Sequence, residues 1–238
     1  MIVQPFGFNL KKSAGGGGGG AITYKTGFAE NFAEGSSLTF ASTGTVNIAQ
    51  GDFVVALFAY YSFDEALPDS ETIGGQALTL AHSSYVAAEK YRLRVLYREN
   101  CSAVSNATFA ESSETGSNTF NYAACAVAVY SGIASSGSYD NGACNDATCT
   151  ALAASSTSRT TQNITTINAN SLIVCAGVDW NGGLTHTAAN SFNKRVTSTT
   201  PFIFDKIVSS TGTFPSGNFS TTNTADNYLA ITAAFKGA

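Results

Sequence analysis

Four runs of this chain are apolar or small at odd and even positions alike, and they limit its fold more than any other feature. They span residues 53–61, 122–130, 172–178 and 228–235. Each has the length of a strand and lacks helix caps, and none approaches the ~18–20 residues needed to cross a bilayer. A strand apolar on both sides needs cover on both sides. Long loops or a neighbouring subunit are the two sources of cover that the sequence suggests. Two of the runs echo each other. Asn121-Tyr122-Ala123-Ala124 leads to Gly132, and Asn227-Tyr228-Leu229-Ala230 leads to Gly237. The other two each follow a polar turn, Gln50-Gly51-Asp52 and Asn168-Ala169-Asn170-Ser171. The chain therefore reads as two halves, each opening and closing on a central strand, as two Greek-key halves of a jelly roll would do.

The rest of the chain agrees with an all-β reading. Residues 91–98 alternate strictly, and 37–40, 76–81, 118–122, 162–167, 202–208 and 218–222 are shorter strand candidates rich in Thr, Phe and Ile. Turn signals separate them: Gly74-Gly75, Asn141-Gly142, Asn181-Gly182-Gly183 and Pro215-Ser216-Gly217. The best helical candidate, 21–33, is broken by Gly27 and has no sustained apolar stripe. The expectation is an antiparallel, jelly-roll-like β-sandwich over residues 21–238, with residues 1–20 as an N-terminal arm. That arm carries Phe6, Phe8 and Leu10, then six glycines at 15–20, which give it freedom but no packing surface.

Charge excludes one class of partner. Charged residues make up 12% of the chain and the net charge is −4, whereas a nucleic-acid binder needs a basic stripe. Lys90, Arg92, Arg94 and Arg98 come nearest, but the arginines alternate with Tyr91, Leu93, Val95 and Tyr97, which predicts one solvated strand face. No apolar signal segment lies in residues 1–21, so the expectation is a chain made and left in the cytoplasm, or one that leaves by a route other than Sec, with no membrane partner.

Among the five cysteines, Cys125 and Cys175 lie in apolar runs and read as small core residues. Cys144 and Cys149 sit in a polar stretch at a spacing that closes a small disulfide loop under oxidising conditions. With no flanking Cys or His cluster they make a poor zinc pair, so no metal and no cofactor is expected.

Catalytic patterns are missing too. His82 and His186 are isolated, and no nucleophile elbow or phosphate loop occurs. The acidic segment 64–71 lacks the spaced ligands of a calcium loop. The one binding signal is Asp179-Trp180-Asn181, an aromatic plane between a carboxylate and an amide that suits a sugar. Against it, Trp180 continues the inward parity of Leu172, Val174, Ala176 and Val178.

Short motifs carry a resemblance. Gly51-Asp52-Phe53-Val54-Val55-Ala56, the run from Ala126 to Gly132, Ser171-Leu172-Ile173-Val174 and the closing Ala233-Ala234-Phe235-Lys236 resemble jelly-roll virion proteins of tailed bacteriophages. That resemblance implies a non-enzymatic capsid-decoration, fibre, collar or tail component, found in the virion after assembly in the host cytoplasm and release by lysis. It implies other virion proteins as partners, reached through Phe6, Phe8 and Leu10, and a homo-oligomer, with a trimer favoured. The alternative expectation is a carbohydrate-binding module or adhesin that meets a cell-surface glycan. A glycoside-active enzyme would need a carboxylate pair that sequence alone does not locate.

Overall fold

The computed structural model describes residues 20–32, 39–61, 70–112, 122–144, 149, 158–179, 186–198, 200–215, 218–220 and 228–238. Phe6, Phe8 and Leu10 lie outside these, as do Trp180 and Asn181.

Strands make up all of the regular structure among the described residues. The first half runs β1 (Thr23–Phe32), β2 (Thr39–Ala41), β3 (Val46–Ile48), β4 (Phe53–Tyr61), β5 (Ser70–Ile73), β6 (Gln76–Ala77), β7 (Thr79–Val86), β8 (Tyr91–Arg98), β9 (Val104–Ala107), β10 (Phe109–Ser112) and β11 (Tyr122–Ser131). The second runs β12 (Tyr139–Cys144), β13 (Ser158–Thr160), β14 (Ile164–Thr166), β15 (Ser171–Asp179), β16 (Thr187–Ala188), β17 (Asn193–Thr197), β18 (Pro201–Val208), β19 (Gly212–Phe214), β20 (Asn218–Ser220) and β21 (Tyr228–Lys236).

All pairings are antiparallel, and within each half they nest. In the first half β1 pairs with β11, β2 with β10, β3 with β9 and β4 with β8. In the second half β12 pairs with β21, β13 with β20, β14 with β19 and β15 with β18. The result is two five-stranded sheets, β1-β11-β4-β8-β7 and β12-β21-β15-β18-β17, whose strands correspond one to one. Each half closes its own sheets rather than lending strands to a shared pair.

The correspondence reaches single residues. The edge strands carry bulges at matching places, Tyr24/Thr26 with Tyr139/Asn141 and Leu80/His82 with Lys194/Val196. The two corresponding central strands β4 and β15 are each entered through a residue with positive φ, Gly51 at 85° and Asn170 at 56°. Glycine and asparagine are the two residues that tolerate that left-handed turn best.

The apolar runs form the centre. Phe53, Val55, Leu57 and Ala59 of β4 share one core with Leu172, Val174, Ala176 and Val178 of β15, so the five-stranded sheets pack face to face. The inward parity read from the sequence holds for those four second-half residues. Their second faces are covered within the chain. Val54, Ala56, Phe58, Cys125, Val127 and Val129 pack with Phe40, Val46, Ile73 and Phe109 from the short sheets of the first half. Ile173, Cys175, Phe202, Phe204 and Ala230 pack with Ile164 and Phe192 in the second. Neither a long loop nor a second subunit is needed to shield these runs.

Two local expectations change. Within the helical candidate, Thr23–Phe32 forms β1, an extended strand that sends Tyr24 and Ala29 to one core and Phe28 to another, which explains the missing helical stripe. The arginine face of β8 is half-buried rather than fully solvated. Under the short sheet Arg94 pairs with the buried Glu71 and Arg98 bonds Gln76 and the Ala77 carbonyl, while Arg92 sits 3.8 Å over the Tyr85 ring of the neighbouring β7. Strict alternation reports two unlike faces, but not which of them meets water.

Burial also sets the response to alkali. It raises the Tyr130 phenol well above its usual range and lifts the thiols of Cys101 to about 11 and Cys175 to about 12. Above the unfolded thiol value near 9, the folded chain holds protons that the unfolded chain releases, so stability falls as pH rises. Urea midpoints are expected to stay level to about pH 8.5 and then drop steadily to about pH 11. A midpoint unchanged across that upper range would contradict the burial of these groups.

Candidate functional site

Because the two five-stranded sheets pack face to face, they meet at two corresponding corners. One joins the edge strands β1 and β17, the other β12 and β7. The register makes Tyr24 match Tyr139, Tyr130 match Phe235 and Asp205 match Tyr97, while the bulge residue Arg195 matches Ala81. Equal scaffolds therefore carry unlike chemistry.

The β1/β17 corner is polar. Arg195 Nε donates to Asp205 Oδ2 at 2.7 Å, and the Asp205 carboxylate is wholly buried. Asn193 Nδ2 donates to the other carboxylate oxygen at 3.3 Å. The Arg195 guanidinium lies 4.9 Å from the Tyr24 ring, which meets Tyr130 edge-on at 5.7 Å. Burial works against the charge on Arg195, and the Asp205 hydrogen bond and charge outweigh it, so its pKa is raised. Burial, followed by the Asp205 charge, keeps Tyr130 neutral. A cleft of about 490 Å³ beside this corner is lined by Gly27, Phe28, Ala29, Lys194, Arg195, Val196 and Thr197. The ion pair itself lies within one sheet, between β17 and β18, and the Arg195 guanidinium over the Tyr24 ring of β1 carries the contact across to the other sheet.

The β7/β12 corner is aromatic and sulfur-bearing. Tyr97 stacks on Tyr139 at 6.1 Å, and Phe235 lies 5.4 Å from Tyr97 and 4.9 Å from Phe53. Cys144, at the end of β12, is disulfide-bonded to Cys149 with 5.3 Å between their Cα atoms. Cys149 is docked on β7, its carbonyl accepting from the Tyr85 N–H and the Ser84 hydroxyl at 2.9 Å each. His82 Nε2 lies 3.4 Å from Cys149 Sγ. Burial lowers the His82 pKa, which favours the neutral imidazole. Sequence reasoning set His82 aside as isolated. It was hidden because it stands 67 positions from Cys149 and belongs to the other half.

The remaining expected site residues are scattered. Asp179 closes β15 fully buried, its carboxylate 3.9 Å from the equally buried His186 imidazole, so it faces the interior rather than a ligand in solvent. The sugar reading loses its carboxylate there. Cys125 and Cys175 are buried thiols outside any disulfide, as is Cys101. Glu71, the last residue of the acidic segment 64–71, and Glu111, which sequence did not single out, stand opposite each other on β5 and β10. Both are buried within the first half rather than set along a cleft. Among the described residues no helix is long and apolar enough to cross a membrane. No protein-family model, curated protein or solved structure matches this chain.

Proposed function

We propose that this chain is a non-enzymatic virion structural protein of a tailed bacteriophage, built from two jelly rolls joined back to back and attached through its N-terminal arm. One observation supports the reading above others: the nested strand order occurs twice, with the two copies sealed on each other through their largest sheets. Nesting of first strand on last and second on second-last is how a jelly roll closes its two Greek keys. A block with three continuous apolar layers suits a load-carrying part. Phe6, Phe8 and Leu10 would seat the arm on another virion protein, and repeated copies would assemble around it.

Particles made with the gene in its own genomic context test this. Full-length protein is expected in purified virions, while a chain lacking residues 1–20 keeps its β-rich circular dichroism and melting temperature but is missing from particles. Full-length protein absent from virions would overturn the virion assignment. A truncated chain that incorporates normally would overturn the role of the arm.

A further inference from the structure

We propose that His82, Cys144 and Cys149 form a zinc site when the disulfide is reduced, so that the metal ties the end of β12 to β7 once the covalent link between the two cysteines is gone. The three donor atoms lie within 4.8 Å of one another. Zinc held at about 2.0–2.1 Å from nitrogen and about 2.3 Å from sulfur puts such an N···S pair about 3.5 Å apart. His82 Nε2 and Cys149 Sγ are already 3.4 Å apart, so the adjustment falls on Cys144, whose sulfur must leave Cys149 and settle at a like distance from the imidazole.

The scaffold holds each donor from a different direction. Cys144 is fixed by the pairing of β12 with β21, opposite Ile231. Cys149 hangs on β7 through its own carbonyl. The His82 ring packs over Gly142, where an added Cβ would lie 2.9 Å from its Cγ, so that glycine makes room for the imidazole. Two thiolates and a neutral imidazole cancel the charge of Zn²⁺, which suits a site where Cys144 is buried and His82 and Cys149 are half-buried. Three protein donors leave the fourth position to water. The matching corner has Val196 and Ala29 where this one has His82 and Cys144, so the donor set belongs to one half alone.

The chemistry balances with a small thiol as reductant. Two RSH give RSSR, and their two electrons and two protons turn the Cys144–Cys149 bond into two thiols. Zinc then binds both sulfurs as thiolates, and the two protons pass to solvent.

The test uses the full chain, reduced with a phosphine that does not bind metal and titrated with Zn²⁺ against a chromophoric chelator. Reduced wild type is expected to take one zinc per chain. Oxidised wild type and C144S/C149S, which keeps Cys101, Cys125 and Cys175, should take none. H82A should bind at least tenfold more weakly, with H82Q as a second variant should alanine disturb folding. Co²⁺ on reduced wild type should give tetrahedral d–d bands and a thiolate charge-transfer band. Zinc uptake by reduced wild type no greater than that of C144S/C149S overturns the proposal, and so does unchanged affinity in folded H82A or H82Q. A six-coordinate Co²⁺ spectrum does the same.

Discussion

Replacing Arg195 with alanine is expected to cost about 3 kcal/mol of folding stability, because it strands the buried Asp205 carboxylate without its cation. Asp205 is wholly buried, and without the guanidinium only neutral groups face it, the Asn193 amide at 3.3 Å and the Tyr130 phenol. The matching corner shows how the same scaffold closes without charge: alanine stands at position 81 and tyrosine at 97. The double variant R195A/D205Y copies that solution and is expected to recover most of the loss, since replacing a buried ion pair with packed apolar groups is often neutral. Urea unfolding of wild type, the single and the double variant decides the matter. R195A within about 0.5 kcal/mol of wild type would show that the pair contributes little, within the scatter usual for surface sites. A double variant no better than the single would show that the two corners are not interchangeable.

Gly177→Leu is expected to cost more than about 3 kcal/mol, beyond the usual 1–3 kcal/mol of overpacking. Its position on β15 matches Phe58 on β4, and the cross-strand partners are exchanged as well, Phe202 standing where the first half has Arg94. The second half thus places its bulk on β18 and leaves the central strand bare. An added Cβ at 177 would lie 2.3 Å from Phe202 Cζ and 2.9 Å from the Leu229 carbonyl oxygen. The ring can be removed by Phe202→Ala, but the carbonyl is backbone of the paired strand and cannot turn away. The double variant should therefore regain only part of the stability in a thermal melt. Full recovery would place the whole conflict in the ring, and no loss in the single variant would refute the close approach of β21.

The four central strands were legible from the chain alone because each position of 53–61 or 172–178 reports its own burial through its own side chain. The same local rule read Tyr91–Arg98 as a strand with two unlike faces. It misjudged the arginine face, since whether that face meets water depends on Glu71 and Gln76, which arrive from another sheet. It missed β1 and β12 as strands because edge strands broken by bulges lose period-2 alternation at Lys25 and Asp140. A trace of their kinship was present all the same: Tyr24 and Tyr139 each precede a glycine by three positions, Gly27 and Gly142, and each hydroxyl lies over the bare glycine backbone.

What the sequence determined by itself is the inventory: an all-β chain in two halves, four strands buried on both faces, two thiols inside the core and two at a polar spacing. Tertiary structure decided everything that rests on who lies opposite whom. It supplied the cover for the second faces, matched Arg195–Asp205 against Ala81–Tyr97, turned Asp179 inward onto His186, and brought His82 to the Cys144–Cys149 pair. The physical reason is that apolarity and alternation are properties of a residue and its near neighbours, whereas pairing in a nested sheet joins β1 to β11 and β12 to β21 across nearly a whole half of the chain. No short window of residues contains both partners.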